Sequence, residues 1–321
     1  MTTMHAAVVS SFDRPPRYEE HPAPVPGDGE ELVTMLAAGL HPRVRSGADG
    51  SHYTSRGALP MVPGVDGVGR LADGRHVYFV ADDSAGGTMA EQAVVDLRRS
   101  VPLPDEADPV VVAAAMNPAM SSWVALRRRA GFRAGQSVLV LGATGSAGRM
   151  AVQVARHLGA ARVVAAGRDA ERLALLPGLG ATEVVSLVGD PAEVAERLGA
   201  AAGDVDVVLD YTWGAPTEAA LPAVLTHRTD RGAPLDWIQI GSTAGADITL
   251  PSYVLRAANL RILGSGQGSV TAAGIVAELP ALVDALVAGA LTVEAEPVPL
   301  EHVEAAFTAP AEGARRVVVT M

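Results

Sequence analysis

The sequence contains no cysteine and no lysine. Without cysteine there can be no disulfide, no thiolate nucleophile and no cysteine-ligated zinc site. Without lysine, all 25 basic residues being arginine, the chain cannot form a Schiff base, a Walker phosphate site or a tyrosine–lysine reductase pair. Long hydrophobic runs are also missing. The purely apolar stretches, such as residues 110–116, fall far short of the roughly 20 residues a membrane helix needs, and no basic segment precedes a long apolar block at the amino terminus. The expectation is a cytoplasmic chain with no membrane span. Excess positive charge is lacking too: the net charge of −11 speaks against a nucleic-acid partner, which clustered cations would bind. The one dense basic run, Arg127, Arg128 and Arg129, reads as a solvated helix face.

What is present is enough for a large core. A chain of 321 residues, 49% hydrophobic and 19% charged, reads as globular and as more than one domain. The first third shows short apolar runs broken by glycine and proline, at residues 6–9, 32–38, 65–71 and 76–80, which predict a β-rich domain. An alanine-rich stretch, 109–129, predicts a helix. From residue 137 strands alternate with helical segments, the texture of a doubly wound parallel sheet in an α/β fold. Six strands are expected, at 137–141, 162–166, 183–186, 205–209, 235–240 and 260–263. Ala147, Ala151, Val154, Ala155 and Leu158 recur at helical spacing between the first two, and Gly159 ends that helix. A helical stretch over 270–288 and a strand at 315–320 form a tail expected to return to the first domain.

The chemistry concentrates where the first of those strands ends. SVLVL at 137–141 runs into GATGSAG, with Gly142, Thr144, Gly145, Ser146, Ala147 and Gly148, and a helix follows at once. Glycines there allow a tight turn and let backbone N–H groups approach a pyrophosphate, while the helix N-terminus adds partial positive charge. A phosphate is expected against Ser146 and Ala147. The spacing alone is weak evidence; the complete strand–turn–helix context makes it a dinucleotide site. The second strand closes on Gly167 and Arg168 where an NAD-binding acid would be expected, so Arg168, helped by Arg172, points to a 2′-phosphate and to NADP(H). Asp169 offers the competing reading, as a ribose acceptor for NAD, but it also suits the N-cap of the helix that follows.

Three segments together, residues 142–160, PGVDGVG at 63–69 and SSW at 121–123, resemble the zinc-independent quinone oxidoreductase branch of the medium-chain dehydrogenase/reductase superfamily. The resemblance implies a GroES-like β-rich catalytic domain built from both chain ends (1–118 and 265–321) around a Rossmann domain (119–264), with the nicotinamide in the cleft between them, and a homodimer. It also implies that Ser121 faces the nicotinamide end, that Tyr211 lines the crevice, and that Gly241, Ser242, Leu263, Gly264 and Ser265 border the cofactor. Zinc-dependent relatives carry Gly-His-Glu where this chain has Gly64, Val65 and Asp66, and a cysteine near His41, so no metal is expected.

The segment 43–57, and His41-Pro42 in place of a common Asn-Pro, depart from the branch where substrate would be met. Tyr53, then His41 and His52, are the candidate polar groups of the catalytic domain. Tyr53 as a packing residue and His41 as a turn cap beside Pro42 remain alternative readings. Without zinc, the accessible reaction is hydride transfer from NADPH to a quinone or an α,β-unsaturated carbonyl, helped by hydrogen-bond donors at the developing enolate. A pathway-specific reductase or dehydrogenase of a biosynthetic intermediate, such as a polyketide, and a non-catalytic NADPH-binding regulator stay open as alternatives.

Overall fold

The computed structural model describes residues 2–52, 55, 58–81, 86–310 and 315–321. Its strands are β1 (Thr3–Val8), β2 (Arg17–Pro22), β3 (Glu30–Gly39), β4 (Asp66–Arg70), β5 (His76–Val80), β6 (Gln92–Asp96), β7 (Ser100–Pro102), β8 (Ser137–Leu141), β9 (Arg162–Gly167), β10 (Glu183–Ser186), β11 (Val207–Asp210), β12 (Leu235–Gln239), β13 (Leu260–Gly264), β14 (Ala295–Pro299) and β15 (Arg316–Thr320). Helices α1 (Pro42–Ala48), α2 (Pro109–Val124), α3 (Ser146–His157), α4 (Ala170–Leu175), α5 (Pro191–Ala202), α6 (Gly214–His227), α7 (Val254–Ala257), α8 (Ala272–Val276), α9 (Leu279–Val287) and α10 (Val303–Thr308) join them. The chain divides into two compact units, Met1–Asn117 with Leu279–Met321, and Pro118–Glu278. Residues 265–278 therefore cluster with the middle unit.

In the first unit a seven-stranded sheet runs β14-β15-β3-β4-β5-β7, with β6 also paired to β3, and β1 and β2 form a separate hairpin. The tail strand β15 lies antiparallel to β3, Val318 opposite Gly39, so the carboxyl end does return to the first sheet. Val33, Met35, Val77 and Phe79 pack on one core cluster, and Ala38, Leu40, Val44 and Val319 on another. The sequence did not predict β2, β6, β7 or β14. β2 is exposed along most of its length and carries little apolar alternation, the signal on which strand reading depends.

The second unit holds a six-stranded sheet, β10-β9-β8-β11-β12-β13, every pair parallel. In order along the chain this is 3-2-1-4-5-6, so the strand order reverses between β8 and β11. Strands buried on both faces need apolar residues at every position, which explains the unbroken SVLVL of β8. Leu139, Leu141, Val164, Val208, Leu221 and Trp237, each at most 1% exposed, form the core between sheet and helices. Local chemistry ends the helices: Gly159 adopts φ +88° after α3, and Asp190 accepts from the N–H groups of Ala192 and Glu193 at the start of α5, with Pro191 at its first position.

Two expectations need correction. The expected helix over 270–288 is two helices, α8 and α9, which break before Pro280, a residue without an N–H that fits only an opening turn. The arginine run is not simply a solvated face. Residues 125–130 form a π-helical continuation of α2, where Arg127 and Arg128 both pair with the buried Glu278, at 2.5 and 2.6 Å. Trp123 Nε1 donates to the same carboxylate at 2.9 Å, and Arg129 donates to the carbonyl of Gly264 at 2.8 Å. The helical run Pro109–Ala130 is long and apolar enough to cross a membrane, but most of it is buried inside the protein.

Two phenols are buried, one in each unit, Tyr78 completely and Tyr211 with 8% of its surface exposed. Burial first, then the negative charge of Asp66, holds the Tyr78 phenol well above its ordinary range. Burial also raises Tyr211, to about 12, with the neighbouring Ser121 and Ser122 hydroxyls partly offsetting the rise. In the unfolded chain both ionise near pH 10. Stability tied to the protonated folded phenols is therefore complete below pH 10 and is lost as pH rises towards 12. For Tyr211 the loss should be roughly 2–3 kcal/mol. Urea unfolding at pH 8 and pH 11.5 should show it, with a shallower pH dependence in Tyr211→Phe; equal slopes would contradict the assignment.

Candidate dinucleotide site

At the carboxyl end of β8 four residues, 142–145, lead into α3. Gly142 takes φ +85°, a region open to glycine, and its N–H and that of Ala143 both bond to Ala166 O on β9, at 3.0 and 2.9 Å. Gly145 is the N-cap of α3 and has no side chain with which to cap it. The first amides of that helix, at Ser146 and Ala147, therefore have no capping side chain at the positive end of a twelve-residue helix. Gly148 makes this geometry possible. A Cβ there would stand 2.2 Å from Gly142 O and 2.7 Å from Ala143 Cα, both backbone atoms that cannot move aside.

The neighbouring strand tip supplies the cation. Gly167 ends β9 so close to Thr144 that a Cβ would lie 2.5 Å from its Cγ2, which ties the two turns together. Arg168 follows and is exposed. Asp169 is the N-cap of α4: its Oδ1 accepts from Arg172 N at 3.0 Å, and its Oδ2 pairs with Arg172 Nε at 3.1 Å. Both oxygens of that carboxylate are thus engaged by Arg172 of its own helix.

Across the strand-order reversal, Asp210 ends β11 fully buried. It accepts from Thr212 N, Thr212 Oγ1 and Trp213 N on one oxygen, and from Thr217 Oγ1 and Trp237 Nε1 on the other. Five donors on one carboxylate fix the turn after β11, in which Trp213 sits at φ +52°. Tyr211, 8% exposed, bonds through its N–H to Leu141 O and through its hydroxyl to Ser121 Oγ at 2.9 Å. Gly241 lies directly against it: a Cβ there would stand 2.8 Å from Tyr211 O. Ser242 is exposed beyond it, Leu263 is half-buried at the end of β13, and Ser265 N bonds to Gln239 O at 2.8 Å. The expected cofactor positions on strand ends and turns thus lie at the carboxyl end of one sheet. Sequence reading missed the groups that hold them: Trp213, Gln239, which donates to Gly241 O, and Arg129, which holds Gly264 O.

The first unit's candidates are arranged differently. Tyr53 lies outside the described residues. His52 is half-buried after α1, its N–H on Ser46 O. His41 does stand at a helix start, its carbonyl accepting from Val44 N and Arg45 N, but its side chain makes no capping bond. Its Nε2 instead meets Asp66 Oδ1 at 2.9 Å, with both residues at most 2% exposed. Tyr78 donates to Asp66 Oδ2 at 2.7 Å. The buried Arg316 guanidinium, pushed down to about 10 by burial, is held up by the Asp66 charge. No pattern in one sequence links Asp66 to Tyr78 and Arg316; only the pairing of β4 with β5 and the return of β15 bring them together. Among the described residues, no group of three or more His, Cys, Asp or Glu is placed to hold a metal ion.

The tightest geometric demand of the turn gives a direct test. Gly148→Ala should abolish nucleotide binding, or the folded state with it, whereas Gly178→Ala, with nothing near its Cβ position, should leave both unchanged. Circular dichroism and nucleotide titration distinguish these outcomes; normal binding by Gly148→Ala would contradict the close approach.

Comparison with known proteins agrees with this geometry. The zinc-binding dehydrogenase family matches residues 147–287, a stretch that excludes His41 and Asp66. The chain is 35% identical over 324 aligned positions to a protein named "Probable NADPH-dependent quinone reductase" from Emericella nidulans, covering 87% of this chain and 89% of that one. It is 29% identical over 170 residues to an NADPH-dependent alkenal/one oxidoreductase of Arabidopsis thaliana, covering 48% of this chain and 44% of the relative. Among solved structures, the quinone oxidoreductase of Thermus thermophilus, also determined in complex with NADPH, superposes with a TM-score of 0.83 at 30% identity, covering 99% of this chain and all of the other. The chain belongs to the quinone oxidoreductase branch of the medium-chain dehydrogenase/reductase superfamily.

Proposed function

We propose that this protein is an NADPH-dependent oxidoreductase that reduces a quinone or an α,β-unsaturated carbonyl. The observation that carries the reading is the uncapped N-terminus of α3 beside an exposed arginine at the tip of β9. Amides of Ser146 and Ala147 would hold the pyrophosphate, and Arg168 with Arg172 would hold the 2′-phosphate through charge-assisted hydrogen bonds. Asp169, spent on its own helix, is a poor ribose acceptor, which favours NADPH over NADH. The middle unit is then the nucleotide-binding domain and the unit made of both chain ends the catalytic domain. Ser121, Tyr211, Gly241, Ser242, Leu263, Gly264 and Ser265 complete the cofactor site. Relatives named for NADPH, quinones and alkenals or enones support the same reading.

When bound, NADPH supplies the hydride. The chain's own task is to orient the acceptor and stabilise the oxygen on which charge develops, for which Tyr53 and His52 are the proposed donors; His41, buried with its Nε2 on Asp66, is placed to hold Asp66 and not to reach a substrate. We propose a metal-free reaction because the residues do not suit a metal: Val65 offers no donor atom, and the two Asp66 oxygens are taken by His41 and Tyr78. We further propose that the protein is cytoplasmic and works as a homodimer, as the branch implies.

NADPH oxidation with a panel of quinones, enones and aldehydes, with and without chelator, tests the function. Turnover of quinones or enones unaffected by chelator is expected; turnover confined to aldehydes, or lost with chelator, would contradict it. In the same assay Arg168→Ala and Arg172→Ala should each weaken NADPH about 10- to 100-fold while leaving NADH unchanged. Equal losses for both nucleotides would remove the 2′-phosphate assignment.

A further inference from the structure

The hydroxyl groups of Ser121 and Tyr211 share one hydrogen bond, and their surroundings decide its direction. Ser121 Oγ lies 2.9 Å from Tyr211 Oη and 2.7 Å from the carbonyl oxygen of Pro118. A carbonyl can only accept, and a serine hydroxyl has one proton. With that proton on Pro118 O, Tyr211 must donate to Ser121. Ser122, the other serine near this phenol, is committed in the same way, its Oγ donating to Ala119 O at 3.1 Å. Burial keeps the phenol protonated throughout the physiological range, so the proton that Ser121 requires is always present. Tyr211 Oη is left with lone pairs alone to offer a ligand.

The place of this oxygen in the fold indicates which ligand group it meets. Tyr211 follows β11, the first strand beyond the reversal of strand order, where doubly wound sheets bind ligands. It lies between the phosphate turn and the turn after β12: a Cβ on Gly142 would stand 3.3 Å from Tyr211 Cβ, and one on Gly241 would stand 2.8 Å from Tyr211 O. A dinucleotide spans the two halves of such a sheet. With Arg168 marking the adenosine half at β9, the half formed by β11, β12 and β13 receives the nicotinamide.

We infer that Tyr211 recognises the nicotinamide carboxamide by accepting a hydrogen bond from its N–H, and that Ser121 is the positioning residue that sets this polarity by taking the phenolic proton. It follows that Tyr211 does not protonate the reduced product. The inference rests on NADPH being the cofactor and assigns its nicotinamide end a specificity contact.

The 3-acetylpyridine analogue of NADPH replaces the carboxamide nitrogen by a methyl group and so removes the donor. Dissociation constants for both nucleotides, read from nucleotide fluorescence, give a preference for each variant that is independent of how much protein is folded. The wild-type protein should prefer NADPH by about fivefold over the analogue, and Tyr211→Phe should lose that preference by losing NADPH affinity alone. Ser121→Ala, which frees the phenolic proton to point at the ligand, should lose at least half of it. The pH profile of turnover in Tyr211→Phe should keep its shape. A Tyr211→Phe variant that weakens both nucleotides equally, or that loses a limb of the pH profile, would overturn the inference while leaving the cofactor reading intact. Wild-type protein that binds neither nucleotide would overturn both.

Discussion

The nucleotide-binding unit depends on one contact between backbone atoms. Gly148, in the first turn of α3, packs so tightly on the carbonyl of Gly142 that no side chain fits between them. This closeness brings the helix N-terminus to the end of β8, where the reversal of strand order opens a crevice. An anion there meets amides fixed by the fold before it arrives, so binding need not order a loop first. The other close approaches follow from the same register: Gly167 against Thr144, Tyr211 against Gly142, and Gly241 against Tyr211 lie at neighbouring strand ends of a parallel ladder.

The two ends of the site are built on opposite principles. At the proposed 2′-phosphate end Arg168 is exposed and Arg172 is held to Asp169. Towards the proposed nicotinamide end the charge is buried. Asp210 is enclosed by five donors, and what it fixes in place is a turn carrying a phenol and an indole. A buried carboxylate so fully hydrogen-bonded is held in one geometry, which suits it to orient neighbours. In the other unit Asp66 has a similar role. His41 and Tyr78 bond to its two oxygens, and its charge acts on the buried Arg316.

How much of this could be read from the sequence depended on how local each signal is. The β8–turn–α3 unit was legible because strand, glycines and helix are contiguous and each glycine has a local reason. The N-cap role of Asp169 was legible for the same reason. The partners of Asp66 were not: Tyr78 and Arg316 reach it through strand pairings that no spacing encodes. Arg127 and Arg128 were misread because their shared partner, Glu278, lies some 150 residues away and a charge run alone does not say what it faces. The polarity of the Ser121–Tyr211 bond needed coordinates, since it follows from a third atom, Pro118 O, that the residue types do not reveal.

Amide hydrogen exchange with and without NADPH examines the phosphate turn at residue level. Bound nucleotide should slow exchange most at Ser146 and Ala147, with further protection at Arg168 that NADH does not reproduce. Protection that spares residues 145–148, or that is identical for the two nucleotides, would contradict the account.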